Sequence, residues 1–229
     1  RVAEWAATTE RNASDPPPPP LNPEQRTAGR RCFRAIELLH KGSTLGEDIC
    51  MTLQRLHATG QHQVHLLLGA GGVGKSELLS QLEAAMDALS FGLMVVTAWT
   101  GVATAPFGTP TLCSLLKIAF TELRVDPHSR SMPEEALCRL QSDFATLVGD
   151  PSRLRVFVID EISFVEPEAL QIVDVQLQRL LNRPQVPFGG VLVILSGDFF
   201  QKTPAGASSM AEQLVMLDAP IVKTLPFAE

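Results

Sequence analysis

The segment from residue 69 to residue 76 constrains this chain more than any other feature. It spells Gly-Ala-Gly-Gly-Val-Gly-Lys-Ser, follows the apolar run Val64–Leu68 directly and precedes an amphipathic stretch. The pattern GxxxxGK[ST] between a strand and a helix is typical of a P-loop, whose backbone amides and helix dipole bind phosphate groups. A glycine-rich turn can match this pattern by chance, but the flanking strand and helix signals favour the P-loop.

Each residue type in this loop has a physical reason. Glycines let backbone amides converge on phosphates, Lys75 supplies a mobile cation for the outer phosphates, and the Ser76 hydroxyl suits Mg²⁺. The predicted nucleotide-binding residues of the loop are Gly69, Ala70, Gly71, Gly72, Val73, Gly74, Lys75 and Ser76. The sequence has no NKxD-type guanine motif and no DxxG after the loop, which disfavours a GTPase and favours ATP.

A pair of carboxylates follows a second apolar run. After Arg155, residues 156–159 are too continuously apolar for a half-exposed strand and lead into Asp160 and Glu161, which predicts a central parallel strand whose two carboxylates lie beside the P-loop. Asp160 suits the Mg²⁺ shell, and Glu161 can polarise the attacking water. On its own, the pair would be an ordinary acidic helix start. Together with the P-loop, it predicts hydrolysis.

A third apolar run, Val191–Leu195, leads to Gln201. An amide side chain after this strand is a candidate sensor of the terminal phosphate, so Lys75, Glu161 and Gln201 form the predicted catalytic set. The alternative for Gln201 is an ordinary surface-loop glutamine.

Short apolar runs alternate with amphipathic stretches from residue 22 onward, which predicts an α/β fold with a central, mostly parallel sheet flanked by helices. The predicted strands are Val64–Leu68, Leu93–Thr97, Leu154–Asp160, Val191–Ser196 and Ile221–Leu225. The predicted helices run from Pro23 to near His40 and over Lys75–Leu89, Thr111–Leu123, Pro133–Val148 and Pro167–Leu181. Residues 1–20, which include a run of five prolines, are expected to be a disordered tail and stiff spacer before a domain over 21–229.

Composition restricts the partners. Nineteen Lys and Arg against 25 Asp and Glu give a net charge of -6, so any contact with nucleic acid must be local. The four cysteines are scattered without a CxxC pair, which predicts free thiols and no zinc site. No apolar run reaches the roughly 20 residues that a membrane-spanning helix needs, so we expect a soluble intracellular protein.

Five segments, in this order and spacing, resemble those of petite-integration-frequency helicases, which are RecD-like superfamily-one enzymes. The segments are Leu21-Asn-Pro-Glu-Gln25, the P-loop, Thr97-Ala-Trp-Thr-Gly-Val-Ala103, Ile159-Asp-Glu-Ile-Ser163 and Gly197-Asp-Phe-Phe-Gln201. The resemblance implies a RecA-like domain that couples Mg-ATP hydrolysis to five-prime to three-prime movement on single-stranded DNA. It also implies a role in DNA repair and recombination, in the nucleus or mitochondrion.

The resemblance implies specific residue roles as well. Gln25 matches the residue that reads the adenine edge. The residues that match the single-strand contacts are Thr97, Trp99, Thr100, Gly101, Thr111 and Ser114. For the threonines, β-propensity and helix capping are the alternatives, and for Trp99 the alternative to base stacking is packing.

The chain departs from the family pattern at several points. Trp99 stands in place of the usual proline, Cys113 in place of histidine, and Lys202 in place of leucine. The second RecA-like domain, which supplies arginines across the ATP cleft, is expected after Glu229. Two alternatives stay open at this stage, namely another P-loop ATPase of the AAA type and a catalytically silent nucleotide-binding module.

Overall fold

The computed structural model describes residues 21–118, 132–165 and 167–198. Within these ranges the chain forms seven α-helices and four β-strands, joined in places by single 3₁₀ turns. The helices are α1 Pro23–Thr44, α2 Ile49–Ala58, α3 Lys75–Ala88, α4 Gly101–Thr104, α5 Leu112–Leu116, α6 Glu134–Leu147 and α7 Pro167–Leu180. The strands are β1 Val64–Leu68, β2 Leu93–Ala98, β3 Leu154–Asp160 and β4 Leu192–Gly197.

The four strands form one sheet in the order β1-β4-β3-β2, and every neighbouring pair is parallel. This arrangement confirms the predicted α/β class, and β1 and β3 have the predicted bounds. The strand β2 extends one residue beyond the prediction, and β4 begins and ends one residue later than predicted. The fifth predicted strand, Ile221–Leu225, lies outside the described residues.

The sheet separates two apolar layers, because successive side chains of a strand point to opposite faces. On β3, Val156 and Val158 pack with α1, α2 and α3, whereas Phe157 and Ile159 pack with α5, α6 and α7. All four side chains are fully buried. Covering a parallel sheet on both faces buries its strands completely, and this explains the continuous apolar run in β3.

The first helix begins as predicted and ends later. Asn22 and Gln25 form a capping box, and Pro23 occupies the first helical turn. The predicted end near His40 is wrong because α2, which the sequence analysis did not predict, packs against the last turn of α1. At the contact, a Cβ on Gly42 would lie 2.3 Å from the Thr52 hydroxyl, so the two helices approach too closely for any larger residue.

Helix α5 ends earlier than predicted. Lys117 follows it with a left-handed backbone (φ 54°), and this conformation terminates the helix at Leu116. Helices α3, α6 and α7 agree with their predicted bounds to within one residue at each end. Across the described ranges, none of the helices combines the length and apolar character that crossing a bilayer requires.

Candidate nucleotide-binding site

The predicted functional segments meet at one edge of the sheet. Parallel strands end on the same side, so the residues that directly follow β1, β2 and β3, and Asp198 after β4, lie at this edge. The strand β4 lies between β1 and β3, so the P-loop and the acidic pair follow strands that flank the same central strand. Two strand spacings place the acidic pair on the order of 10 Å from the loop, a gap that phosphate groups and a metal ion can bridge.

The P-loop connects β1 to α3 through a backbone that requires glycine at two positions. Gly72 and Gly74 have φ values of 79° and 85°, in the left-handed region. Gly74 is also the N-cap of α3, and no side chain caps this helix end. The backbone amides of the first helical turn can therefore donate to a bound anion. The start of the loop is held against β4, where the amide of Gly69 donates to the carbonyl of Gly197 at 3.1 Å.

The Lys75 ammonium lies over this loop. Its Nζ atom donates to the carbonyl oxygens of Gly69 at 2.6 Å and Ala70 at 3.0 Å. The side chain is half-buried and the neighbouring Ser76 is exposed. Two carbonyl acceptors therefore fix the cation above the converging amides, where phosphate oxygens can replace them as partners.

Gln25 joins α1 to the P-loop. Its Nε2 atom donates to the carbonyl oxygens of Val73 at 2.9 Å and Gly74 at 3.1 Å, and its Oε1 atom accepts the amide of Asn22 at 2.7 Å. A recess of about 100 Å³ next to this contact is lined by Gln25, Asn22, Val73 and Lys75 among other residues. The amide is therefore placed at the nucleotide site, and its reading of adenine stays a prediction.

The acidic pair forms a strained turn at the end of β3. Glu161 adopts left-handed backbone angles, φ 54° and ψ 43°, and its amide donates to Asp160 Oδ1 at 3.0 Å. The end of β4 packs tightly on this turn, because a Cβ on Gly197 would lie 2.9 Å from Ile162 Cγ2 and 3.0 Å from the Ile162 amide nitrogen. A strained residue at a site of this kind is commonly held there for a functional reason.

Thr100 orients the Glu161 carboxylate. Its hydroxyl donates to Glu161 Oε2 at 2.9 Å. The pairing follows from the register of the sheet, in which Ala98 of β2 lies opposite Asp160 of β3. The sequence analysis assigned Thr100 to DNA contact, with β-propensity or helix capping as the alternative, and did not connect it with Glu161. The contact depends on the pairing of β2 with β3, and no local residue pattern predicts which strands pair.

The structure separates the other predicted DNA contacts. Thr97 is fully buried, and its hydroxyl donates to the carbonyl of Pro110 at 2.9 Å, which corrects the expectation that this side chain faces a nucleic acid. Trp99 is half-buried and packs against the core layer of α5, α6 and α7. Thr111 caps α5 by accepting the amide of Ser114 at 3.4 Å. For all three, the structure shows the packing or capping role that the sequence analysis left open.

Gly101 and Ser114 are exposed, and their contact with DNA stays a prediction. Gln201 and Lys202 lie outside the described residues. The end of β4 is described as far as Asp198, which is buried.

The donor set at this edge suits Mg²⁺ bound with a nucleotide. Within the described ranges, no three His, Cys, Asp or Glu side chains come together as a metal cluster. Nucleotide-bound Mg²⁺ needs only one or two protein oxygens because phosphates and water supply the others. The Ser76 hydroxyl and the Asp160 carboxylate are oxygens of this kind, one from each side of β4.

Burial shifts the pKa of two further side chains, His65 and Cys113. His65, in β1, has its pKa lowered to about 4, chiefly by burial, and its Nε2 atom lies 2.9 Å from the carbonyl oxygen of His62. Burial raises the pKa of the Cys113 thiol. The four cysteines are free thiols.

Comparison with known proteins gives a consistent result. Residues 52–223 match the model of PIF1-like helicases. The ATP-dependent DNA helicase PIF4 of Trypanosoma brucei brucei is 33% identical over 138 residues, which are 59% of this chain and 16% of that protein. The ATP-dependent DNA helicase PIF1 of Danio rerio is 34% identical over 136 residues, which are 59% of this chain and 19% of that protein.

Among solved structures, Bacteroides Pif1 bound to single-stranded DNA is 28% identical with a TM-score of 0.48, over 72% of this chain and 34% of that chain. The chain spans less than a fifth of the length of each of the two helicases named above, PIF4 of Trypanosoma brucei brucei and PIF1 of Danio rerio.

Proposed function

The chain belongs to the PIF1-like helicase family, and we propose that it is the RecA-like, ATP-binding domain of an ATP-dependent DNA helicase. In this proposal the domain couples Mg-ATP binding and hydrolysis to five-prime to three-prime movement on single-stranded DNA, in genome maintenance. Family membership disfavours the AAA-type ATPase that the sequence left open. The relatives named above are ATP-dependent DNA helicases, and this supports the same activity here.

The observation that carries the proposal is the convergence of three elements at one sheet edge. The P-loop with Lys75 follows β1, the acidic pair follows β3, and the end of β4 lies between them in contact with both. A phosphate chain lying across β4 would contact the cation on one side and the carboxylates on the other. This geometry suits phosphoryl transfer, in which positioning and charge stabilisation supply most of the catalysis.

The residues divide the chemistry between them. The P-loop amides and Lys75 bind the phosphates, while Ser76 and Asp160 would hold Mg²⁺, which neutralises phosphate charge. The Glu161 carboxylate, oriented by Thr100, accepts a proton from the attacking water. The exposed Gly101 follows Thr100 directly. A DNA group bound at Gly101 would therefore lie next to the residue that donates a hydrogen bond to the catalytic carboxylate.

Complete activity is proposed to need a second RecA-like domain. An arginine supplied across the ATP cleft is worth about 10³–10⁵ in turnover in related phosphoryl-transfer enzymes. The domain alone is therefore expected to bind Mg-ATP and hydrolyse it slowly.

The test is ATP hydrolysis by the full-length protein with and without single-stranded DNA, beside strand displacement on duplexes with a five-prime or a three-prime overhang. The proposal requires DNA-stimulated hydrolysis and unwinding from the five-prime overhang. If the protein hydrolyses Mg-ATP at a rate that DNA does not change and displaces no strand, another P-loop ATPase is the correct alternative. If it binds Mg-ATP but does not hydrolyse it, the silent-module alternative is correct.

A further inference from the structure

We infer that helix α1 carries a second nucleic-acid contact, a surface formed by Arg26, Arg30, Arg31 and Arg34 that binds the phosphodiester backbone. This α1 arginine cluster differs from the DNA-facing residues predicted above, which follow β2 at the carboxyl edge of the sheet. The inference rests on the proposed function only for the identity of the polymer, since the cluster itself is an anion site by geometry and charge.

The spacing puts the four side chains on one side of the helix. Arg26, Arg30 and Arg34 are separated by four residues each, so they lie on adjacent turns, about 6 Å apart along the axis. Arg31 is one position beyond Arg30, and all four residues are exposed. Like charges four residues apart oppose helix formation. The cluster therefore costs helix stability, and a ligand that neutralises it would compensate for this cost.

Three other arginines of the described residues are held by protein groups. Arg55 pairs with Glu47 at 2.5 Å, Arg155 donates to backbone carbonyls and to Ser43, and Arg183 donates to the carbonyl of Gly189. Within the described ranges, none of the four cluster arginines has an ion pair or a side-chain hydrogen bond. Their guanidinium groups are thus available to an anion supplied from outside this part of the chain.

The cluster borders a recess that offers donors. The recess has a volume of about 300 Å³ and is lined by Thr27, Arg30, Arg31, Arg34 and Gln61. The Thr27 hydroxyl donates to the carbonyl of Pro23 at 2.9 Å, which leaves three guanidinium groups and the Gln61 carboxamide as donors. Guanidinium groups bind phosphate oxygens through paired hydrogen bonds, and amide side chains commonly contact the backbone of nucleic acids.

The chemistry of the surface favours a phosphate polymer over an acidic protein. Protein partners usually bury an apolar or aromatic anchor at the centre of their interface. The exposed large apolar side chains of the described residues are Leu45, Met51, Leu68, Val73, Val102 and Leu147. None of them lines this recess. With a net charge of -6 for the whole chain, a local cluster of positive charge also decides where a polyanion binds.

The position of the recess separates it from the nucleotide site. Gln61 precedes β1, at the amino end of the sheet, whereas the P-loop follows β1 at the carboxyl end. Helix α1 links the two ends, because Gln25 in its first turn contacts the P-loop. The recess therefore lies away from the catalytic edge, and the cluster extends from it along α1 to Arg26, next to Gln25.

The test is binding of labelled oligothymidine, and of the same oligothymidine paired with oligoadenosine, to this chain over a range of salt concentrations. The variant is Arg30→Gln/Arg34→Gln. A matched control, Arg139→Gln/Arg153→Gln, removes two other exposed arginines and so changes the net charge equally. We expect the cluster variant to lower affinity at least tenfold at low salt and to reduce the slope of log K against log salt by about 2. The control should stay within about twofold of the wild type.

Three outcomes would contradict the inference. Equal losses for the two variants would show that only net charge matters, and an unchanged slope in the cluster variant would show that it contacts no phosphate. A polyglutamate peptide that displaces the DNA at the same charge concentration would identify an acidic-protein surface instead. Mg-ATP binding by both variants, measured in parallel, should equal that of the wild type. A chain that binds DNA through the cluster but does not bind Mg-ATP would overturn the proposed function and leave the cluster intact.

Discussion

The hydroxyl of Thr100 donates a 2.9 Å hydrogen bond to the carboxylate of Glu161 and so joins the ends of β2 and β3. Glu161 has a left-handed backbone, and its neighbour Ile162 is packed against Gly197. The turn therefore fixes the backbone of Glu161, and the hydrogen bond from Thr100 fixes its carboxylate. Catalysis by a general base depends on this kind of positioning.

Thr100→Val removes the donor at nearly constant size. We expect kcat for ATP hydrolysis by the full-length protein to fall about tenfold, equivalent to about 1.4 kcal/mol, with KM for ATP little changed. Thr100→Ser keeps the hydroxyl and should retain most of the rate. Steady-state kinetics of the three proteins measure the effect. A wild-type rate in the Val variant together with a loss in the Ser variant would show that the methyl packing of Thr100, and not its hydrogen bond, supports the turn.

Glu161→Gln separates binding from chemistry. The amide occupies the same space but cannot accept a proton from water, so turnover should fall by about 10²–10⁴ while Mg-ATP affinity stays close to that of the wild type. Nucleotide titration and a hydrolysis assay on the same preparation measure both quantities. Turnover at the wild-type rate would exclude Glu161 as the general base and leave Asp160 as the remaining carboxylate of the pair.

Gln25 has two roles that two substitutions can separate. Gln25→Glu keeps an oxygen that accepts the Asn22 amide but loses the Nε2 donor to the Val73 and Gly74 carbonyls. Gln25→Ala loses both. We expect both variants to weaken ATP binding and to lower its preference over GTP, whereas the Ala variant alone should lose helix-capping stability, about 1 kcal/mol.

Competition between ATP and GTP measures the preference, and urea unfolding measures the stability. If both variants prefer ATP as strongly as the wild type does, Gln25 serves only to cap α1 and support the loop.

His65 predicts a loss of stability in mild acid. Burial lowers its pKa from 6.5 to about 4, so between these values the unfolded chain takes up a proton that the folded chain does not. The free energy of unfolding must therefore fall as pH decreases from about 6.5 to about 4, by at most about 3 kcal/mol from this residue. His65→Gln should remove this part of the pH dependence.

Urea unfolding of the wild type and of His65→Gln between about pH 4 and pH 7 isolates the contribution, because other acid titrations are common to both proteins. The exposed His57→Gln is the matched control and should keep the wild-type dependence. A constant difference between the wild type and His65→Gln over this pH range would contradict the expected depression of the His65 pKa.

Much of the fold follows from local sequence patterns. The bounds of β1 and β3 and the start of α1 were predictable, because buried parallel strands give continuous apolar runs and Asn22-Pro23 is a strong capping signal. Helix α2 was not predicted, although Asp48 caps it and Leu53 and Leu56 are buried. Its ten residues provide only a short apolar pattern, and tertiary contact with α1 supplies the rest of its stability.

The individual residues of the site were predictable from the sequence, but the contacts between them were not. The motif and the strand ends identify Lys75 and the acidic pair. The position of β4 between β1 and β3, the burial of Thr97 and the bond from Thr100 to Glu161 all depend on which strands are neighbours. Strand order is a long-range property that no local residue pattern encodes, so these relationships needed the structure.

The central claim is that the edge formed by the P-loop and the acidic pair binds Mg-ATP through Lys75. Calorimetric titration of this chain with Mg-ATP, for the wild type, Lys75→Ala and the exposed control Lys41→Ala, tests the claim most directly. We predict that Lys75→Ala weakens binding by at least tenfold, equivalent to about 1.4 kcal/mol or more, while Lys41→Ala binds as the wild type does. Wild-type affinity in a folded Lys75→Ala protein, shown by an unchanged unfolding midpoint, would contradict the assignment of the phosphate site.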